Sequence, residues 1–297
     1  MESLFEHDIF SQVRGTIQFF ATGEKSRNKK ILLVSKPDLE GSLSLAPIEA
    51  ALLDANIPYK RRFTDSEPDF SPFIQISHEM TTKNNDLSGL SLSTIIVDGL
   101  RGSLGDMRKG PLSVVAQAHA LAFALNDKSH RLRRMRPWLL SGNWINEALD
   151  TTYDPVYSCL RDYLSAEGSI RVVPVTEVKN IHFNNYSWIE RFEIEEASRL
   201  WRDSDLEKRE EIMGGLVSPV LRSSSPSTAR SEELLWHCVL GSGWKSDLAS
   251  QISAAKSLWE NNSPIKAASI VADSLVSLGE ISLFDTEDAA TARALDP

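Results

Sequence analysis

The chain carries, near its start, the apolar run Lys30-Ile-Leu-Leu-Val34, and directly after it the polar loop Ser35-Lys-Pro-Asp-Leu-Glu-Gly41. The run is typical of a short buried strand. A helical pattern rich in Ala, Leu and Ile follows and is predicted over residues 43–56. In open α/β sheets, ligands bind outside the carboxyl ends of the strands. The loop between this strand and this helix is therefore the first candidate site.

Strand and helix patterns continue to alternate up to about residue 185, which predicts βαβ units and a mostly parallel sheet flanked by helices. Thr94-Ile-Ile-Val97 is the clearest further strand, and Asp98 and Gly99 follow it. Pro47 fits the second helix only if it lies in the first turn. Residues 64–85 are polar and predicted to be irregular. The remaining predictions are helices at 9–21, 113–125 and 156–165, and strands at 57–63 and 170–175.

The pattern changes after about residue 187, where the sequence becomes helical and heavily charged. We predict an α/β domain over residues 1–185, a helical C-terminal region over 186–280, and a mobile acidic tail over 281–297. The predicted helices of the second region span residues 188–221, 232–240, 246–259 and 264–278.

Composition is that of a globular protein, with 41% hydrophobic and 25% charged residues among 297. No apolar run approaches the roughly 18 residues that cross a bilayer, and the N-terminus is acidic, so a cytoplasmic protein is expected. Two cysteines, Cys159 and Cys238, make neither a disulfide framework nor a metal knuckle. The net charge of −9 argues against wholesale coating of nucleic acid and favours protein partners.

Three acids follow predicted strands: Asp38, Glu40 and Asp98. Hard cations such as magnesium prefer several oxygen ligands, and two-metal phosphoryl transfer needs carboxylates from several strand ends. These acids could therefore hold magnesium or manganese. The alternative is that they are loop residues that cap helices or turns.

The segment Lys36-Pro-Asp38-Leu-Glu40-Gly41 resembles the first motif of the DHH phosphoesterases, His-x-Asp-x-Asp-Gly, in particular that of the archaeal RecJ-like branch. Asp98, after an apolar strand, resembles the second motif of that family. The helix around residues 116–125 is similar to the small-residue helix that follows the catalytic motifs. The resemblance covers roughly residues 9–185 and implies the α/β fold of that family.

The departures from the family pattern imply loss of two-metal catalysis. Lys36 replaces the histidine, Asn143 stands where the family often has an acid, and no Asp-His-His triplet occurs. Met213-Gly-Gly-Leu216 has the glycines of a substrate loop without its histidine. A lysine ammonium can substitute electrostatically for a metal ion but does not bind one. Lys36, Gly41 and Asn143 would then line a vestigial cleft, with Asp38, Glu40 and Asp98 as vestigial ligands and no bound cofactor.

Inactivated relatives of RecJ serve as a structural subunit of the replicative helicase, bound to GINS and MCM. The resemblance therefore implies a non-catalytic replisome scaffold with these partners. Two alternatives stay open. The chain could be a manganese- or magnesium-dependent phosphoesterase or single-strand exonuclease that uses Asp38, Glu40 and Asp98, or a nucleotide-binding regulator without chemistry.

A cationic cluster with nearby tryptophans could hold single-stranded DNA through phosphate contacts and base stacking. The alternative is a solvated helix end whose tryptophans pack in the core. The residues concerned are Arg131, Arg133, Arg134 and Arg136, with Trp138 and Trp144.

Histidine and cysteine offer little further chemistry. His119, on a predicted helix, is interpreted as a packed residue rather than a ligand. His237 and Cys238 are adjacent, and in a helix adjacent side chains diverge by about 100°, so they would not face each other.

Overall fold

The computed structural model describes residues 4–27, 29–77, 89–101, 105–146, 148–151, 153–222 and 226–282. The strands in this part of the chain are β1 (Ile31–Ser35), β2 (Tyr59–Phe63), β3 (Phe73–Ile76), β4 (Gly89–Leu92), β5 (Ile95–Arg101), β6 (Met107–Leu112), β7 (Ile170–Val173) and β8 (Cys238–Gly241). The α-helices are α1 (Ser11–Arg27), α2 (Leu39–Asp54), α3 (Val114–Leu125), α4 (His130–Arg134), α5 (Ser141–Ile145), α6 (Ala148–Thr151), α7 (Pro155–Glu167), α8 (Arg191–Trp201), α9 (Leu206–Val217), α10 (Thr228–Leu235), α11 (Leu248–Asn261) and α12 (Pro264–Leu278).

A four-stranded parallel sheet lies in the first half of the chain, in the order β2-β1-β3-β4. The four apolar residues of β1 are buried, as predicted, and Ser35, which was assigned to the loop, is the fifth buried residue of the strand. The strand is internal to the sheet, because β2 pairs along one edge of it and β3 along the other. The predicted fold class, a parallel sheet flanked by helices and followed by a helical part, is confirmed.

The strand predictions were wrong in three places. β3 belongs to the sheet, although residues 64–85 were predicted to be irregular, and β4 was not predicted. β5 pairs antiparallel with β6 and not with the parallel sheet. β7 pairs antiparallel with β8, which lies where a helix over residues 232–240 was predicted.

Helix α2 is buried along most of its length and packs against α3, α12 and β1. It begins at Leu39, earlier than predicted, so Pro47 lies inside the helix and not in its first turn. A proline there removes one backbone hydrogen bond. Because α2 is packed on several sides, apolar residues occur all around the helix and not along one face only. The same packing holds the helix in place despite the missing hydrogen bond.

The C-terminal helices are divided between two hydrophobic cores. Helices α11 and α12 contribute to the same core as the parallel sheet, whereas α8, α9 and α10 contribute seven of the fifteen buried residues of a second core around Trp201 and Met213. Arg61 of β2 links α12 to α2. Its guanidinium donates to Glu49 of α2 at 3.1 Å and to Asp273 of α12 at 2.8 Å.

In the described ranges, no helix combines the length and the apolar character needed to cross a membrane. The predicted acidic tail lies almost entirely outside the described residues, which end at 282.

Candidate functional site

The loop between β1 and α2 lies at the carboxyl end of the parallel sheet, where the sequence placed the candidate site. Asp38 is the N-cap of α2, and its Oδ1 accepts a hydrogen bond from the backbone N–H of Gly41 at 2.8 Å. The Ser42 hydroxyl donates to the Asp38 carbonyl oxygen at 2.7 Å. This geometry matches the alternative interpretation of Asp38 as a capping residue, because its side chain satisfies a backbone donor that the helix leaves unpaired.

Gly41 brings the first turn of α2 against the end of β1. A Cβ atom at this position would lie 2.0 Å from Ser35 Oγ and 2.5 Å from the Lys36 carbonyl oxygen. Both distances are shorter than any tolerated contact, so only glycine fits. The glycine that resembled part of a metal motif is thus required by the approach of the helix to the strand.

The two charged neighbours of Asp38 occupy different environments. Glu40 lies in the first turn of α2, where a carboxylate is stabilised by the positive end of the helix dipole. Lys36 is exposed, and within the described residues it forms no ion pair with Asp38 or Asp98. The fixed positive charge that was expected to replace a metal ion is therefore exposed and not paired with either aspartate.

The far end of α11 covers the loop. The indole Nε1 of Trp259 donates to the carbonyl oxygen of Pro37 at 3.1 Å. Sequence patterns missed this partner, because Trp259 lies in a helix predicted to belong to a separate region. The only available signal was an aromatic residue at a helix end.

Asp98 was expected at the carboxyl end of a buried strand, and that expectation is wrong. Strand β5 continues through Asp98 to Arg101, and the Asp98 carboxylate is half exposed, 4.0 Å from Lys109 Nζ of β6. Asp98 therefore belongs to a hairpin outside the parallel sheet. The strand itself was recognised, but an apolar pattern does not tell whether a strand pairs with its neighbour in a hairpin or joins the parallel sheet.

A divalent cation does not fit the three acids in this arrangement. Among the described residues, no group of three or more Asp, Glu, His or Cys side chains is placed to hold a metal ion. One oxygen of Asp38 is also occupied by the helix cap. Because magnesium and manganese prefer several oxygen ligands, we derive no metal-dependent step from Asp38, Glu40 and Asp98.

Asn143 lies in the interior, where its amide joins two elements. Its Nδ2 donates to the Pro111 carbonyl oxygen at 2.7 Å and to Asp154 Oδ2 at 2.8 Å. Asp154 in turn caps α7 through Oδ1, and burial raises the pKa of its carboxyl group. Asn143 thus ties the β5–β6 hairpin to α7. Within the described part of the chain, the side-chain hydrogen bonds of Asn143 go to Pro111 and Asp154 and not to the loop around Asp38.

Three of the four arginines of the cationic cluster attach α4, and the short 3-10 helix that follows it (Arg136–Leu140), to the rest of the fold. Arg131 pairs with Asp54, Arg134 donates to the Ser277 carbonyl oxygen at 3.0 Å, and Arg136 Nε donates to Glu167 at 3.1 Å. Arg133 is exposed. The outward cationic surface of α4 is therefore carried mainly by Arg133 and Arg134, because both are exposed and the carbonyl partner of Arg134 carries no charge, whereas Arg131 is paired with a carboxylate.

Trp138 and Trp144 are oriented into the protein. Trp138 is fully buried, and its Nε1 donates to the Gly279 carbonyl oxygen at 3.0 Å. Trp144 is partly buried and packs on the guanidinium of Arg230, 4.5 Å from the ring centre. Neither ring forms an exposed stacking surface beside the arginines.

The histidine and cysteine side chains have structural environments. Burial lowers the pKa of His119 to about 3, so the ring is neutral near pH 7. Burial raises the pKa of the Cys238 thiol well above its usual value, and this thiol donates to the Leu234 carbonyl oxygen at 3.1 Å. Cys238 begins strand β8 and does not lie in a helix, so the divergence of adjacent helical side chains does not apply to it. A buried, neutral thiol is nevertheless unsuited to be a nucleophile.

Comparison with solved structures yields a match to CDC45 from Entamoeba histolytica, with a TM-score of 0.51 and 12% sequence identity, over 94% of this chain and 70% of that one. The chain has the fold of CDC45. At 12% identity, this likeness is one of fold. No family model and no curated protein matches the sequence.

Proposed function

We propose that this chain is a non-catalytic, DHH/RecJ-like scaffold subunit of the DNA replication machinery that associates with GINS or MCM. The likeness in fold to CDC45, over 94% of the chain, is the observation that carries the proposal. The resemblance of Lys36-Pro-Asp38-Leu-Glu40-Gly41 to a DHH motif that has lost its histidine supports it. The net charge of −9 also favours protein partners over a processive grip on DNA.

The non-catalytic part of the proposal rests on the strand-end loop. Asp38 is engaged as a helix cap, Gly41 is required by packing, and Asp98 belongs to a separate hairpin. Two-metal phosphoryl transfer needs several carboxylates around a pair of cations. We therefore rank a scaffold above the alternative, a metal-dependent phosphoesterase.

A contact with single-stranded DNA is the weaker part of the proposal. It rests on Arg133 and Arg134, since Arg131 and Arg136 are paired with carboxylates. Such a surface would contact phosphates and would not discriminate between base sequences.

Gel filtration of the purified chain with GINS and with MCM from the same organism tests the scaffold. We expect a complex with at least one of them that persists at moderate salt, and no release of nucleotides from single-stranded DNA with manganese. Elution of all components at their separate positions would refute the association. Manganese-dependent release that disappears in Asp38→Asn would instead establish a phosphoesterase.

A further inference from the structure

A groove lies between the end of α9 and helix α10, on the side of the second core. Its volume is about 920 Å³. The apolar side chains that line it include Val217, Val220, Leu221, Leu235 and Trp236. Leu221 is 72% exposed and Trp236 is 41% exposed, so much apolar surface faces solvent here. A large aromatic and an aliphatic side chain beside a pocket are typical of the anchoring part of a protein interface.

Helix α9 approaches this groove with two glycines that the fold does not require. A Cβ atom at Gly214 or Gly215 would meet no atom within 4 Å, and both positions are exposed. Each glycine inside a helix costs about 1 kcal/mol relative to alanine. This is the Met213-Gly-Gly-Leu216 segment, for which neither the fold nor the strand-end loop gives a reason.

The face of α9 that carries Gly214 is the one that leads into the groove. Glu210, Gly214 and Val217 are spaced four and three residues apart, so they share one side of the helix. Gly215 lies two positions before Val217, which places it on the opposite side. Bare backbone at Gly214 lets the backbone of another helix come close, as small residues do at close helix crossings.

The charge at the groove is acidic. Its described lining includes the carboxylates of Asp150 and Glu232 and no lysine or arginine. Arg230 neutralises Asp150 through two hydrogen bonds of 2.8 and 3.1 Å. The Glu232 side chain is half exposed, and His237 Nδ1 lies 4.0 Å from its carboxylate. Glu210 forms no ion pair among the described residues. A partner with lysine or arginine beside its apolar residues would complement Glu210 and Glu232.

We propose that the groove between α9 and α10 receives an amphipathic helix of another protein, with aliphatic or aromatic residues on one face and lysine or arginine at its flanks. The apolar anchors enter beside Leu221 and Trp236, the partner backbone crosses α9 at Gly214, and the basic residues lie near Glu210 and Glu232. The proposal goes beyond the scaffold function, because it assigns a surface remote from the strand-end loop and holds whichever machinery the chain serves.

The test uses the full chain and a fluorescently labelled synthetic helix of leucine and lysine, with leucines at i, i+3, i+4 and i+7. A second peptide of the same composition alternates the two residues, so that its leucines share no helical face. We expect saturable binding of the first peptide with a micromolar dissociation constant, and binding of the second about tenfold weaker or less. Equal binding of both peptides, or no saturable binding of the first, would overturn the proposal.

Matched variants locate the site. Gly214→Gln should weaken binding about tenfold, and Leu221→Asp by at least as much, because both act at the contact. Gly215→Gln makes the same change one residue away on the opposite face and should leave binding unchanged. Since a side chain at either glycine meets open space, circular dichroism should show an intact fold in both variants.

Two further outcomes would contradict the proposal. Equal effects of Gly214→Gln and Gly215→Gln would show that α9 acts through helix stability alone. Self-association of the wild-type chain in sedimentation, lost in Leu221→Asp, would show that a second copy of the chain occupies the groove. Neither result bears on co-elution with GINS or MCM, so the two proposals fail separately.

Discussion

The indole nitrogen of Trp259 lies 3.1 Å from the carbonyl oxygen of Pro37 and donates a hydrogen bond to it. The contact joins the end of α11 to the loop between β1 and α2, at the carboxyl end of the parallel sheet. In an enzyme of this architecture that position would receive substrate. Here a residue from the C-terminal part of the chain lies over it.

Trp259→Phe should lower the free energy of unfolding by about 1 kcal/mol, because the ring is retained while the hydrogen bond to Pro37 is lost. Urea unfolding measures the change. Trp236→Phe makes the same substitution at a partly exposed ring and should change stability by less than about 0.5 kcal/mol. Equal losses in the two variants would show that the Pro37 contact contributes nothing.

Asp38→Ala should destabilise the protein by about 1 kcal/mol, since it removes the acceptor that caps α2. Asp38→Asn keeps a capping oxygen and should retain most of the stability. Urea midpoints of the two variants provide the measurement. A loss in Asp38→Asn as large as in Asp38→Ala would mean that the negative charge, and not the cap, is what the site needs.

Gly41→Ala should destabilise by about 1–3 kcal/mol or prevent soluble expression, because the added methyl overlaps Ser35 Oγ and the Lys36 carbonyl oxygen. Adding Ser35→Ala should restore only part of the loss, since the backbone overlap persists. Gly215→Ala is the matched control and should stabilise the chain by up to about 1 kcal/mol. A wild-type midpoint for Gly41→Ala would refute the close approach of α2 to β1.

The stability of the chain should fall as pH rises through the titration of Asp247. Burial raises the pKa of this carboxyl group from 3.8 to about 6. Between these two values the folded protein holds a proton that the unfolded chain has lost. The stabilising contribution is therefore complete below pH 3.8 and is lost as pH rises through about 6; it amounts to about 2–3 kcal/mol.

Asp247→Asn removes this titration and should flatten the pH dependence. The check is urea unfolding of both proteins at about pH 5 and about pH 7.5, where the wild type should lose stability relative to the variant. Parallel behaviour of the two proteins would show that Asp247 does not titrate in this range.

Arg133→Ala should weaken binding to single-stranded DNA and reduce the slope of log affinity against log salt by about 0.7, the value for one lost phosphate contact. Its stability should not change, because Arg133 is exposed. Anisotropy of a labelled oligonucleotide measures both quantities. Lys208→Ala, an exposed lysine of α9 that pairs with Glu211, is the control and should have no effect on binding. An unchanged salt slope in Arg133→Ala would remove the DNA contact from the proposed function.

Sequence patterns were most successful where burial and local propensity agree. The apolar run of β1 and the helical stripe of α12 are examples, and residues 264–278 were predicted with the bounds that the structure shows. They failed where pairing is decided by distant residues. β3 has only four residues and follows a proline, and β8 continues the apolar pattern of α10, so neither could be separated from its neighbours by periodicity.

The strand-end loop shows that a candidate site, too, can be predicted from sequence only where it depends on adjacent residues. The position of Asp38 at the end of β1 was predictable, because it depends on adjacent residues. The overlap that demands Gly41 and the contact from Trp259 depend on how α2 and α11 pack. Asp98 resembled Asp38 in its sequence surroundings, yet hydrogen bonding to β6 placed it elsewhere.

The packing of α12 against α2 has a consequence for synthesis on the ribosome. Roughly 200 residues separate the end of α2 from the start of α12, which corresponds to about 10–40 s of translation. During that interval the apolar surface of α2 that α12 later covers has no intramolecular partner. Nascent chains arrested before Pro264 should therefore be retained by chaperones or aggregate, and completion of α12 should release them.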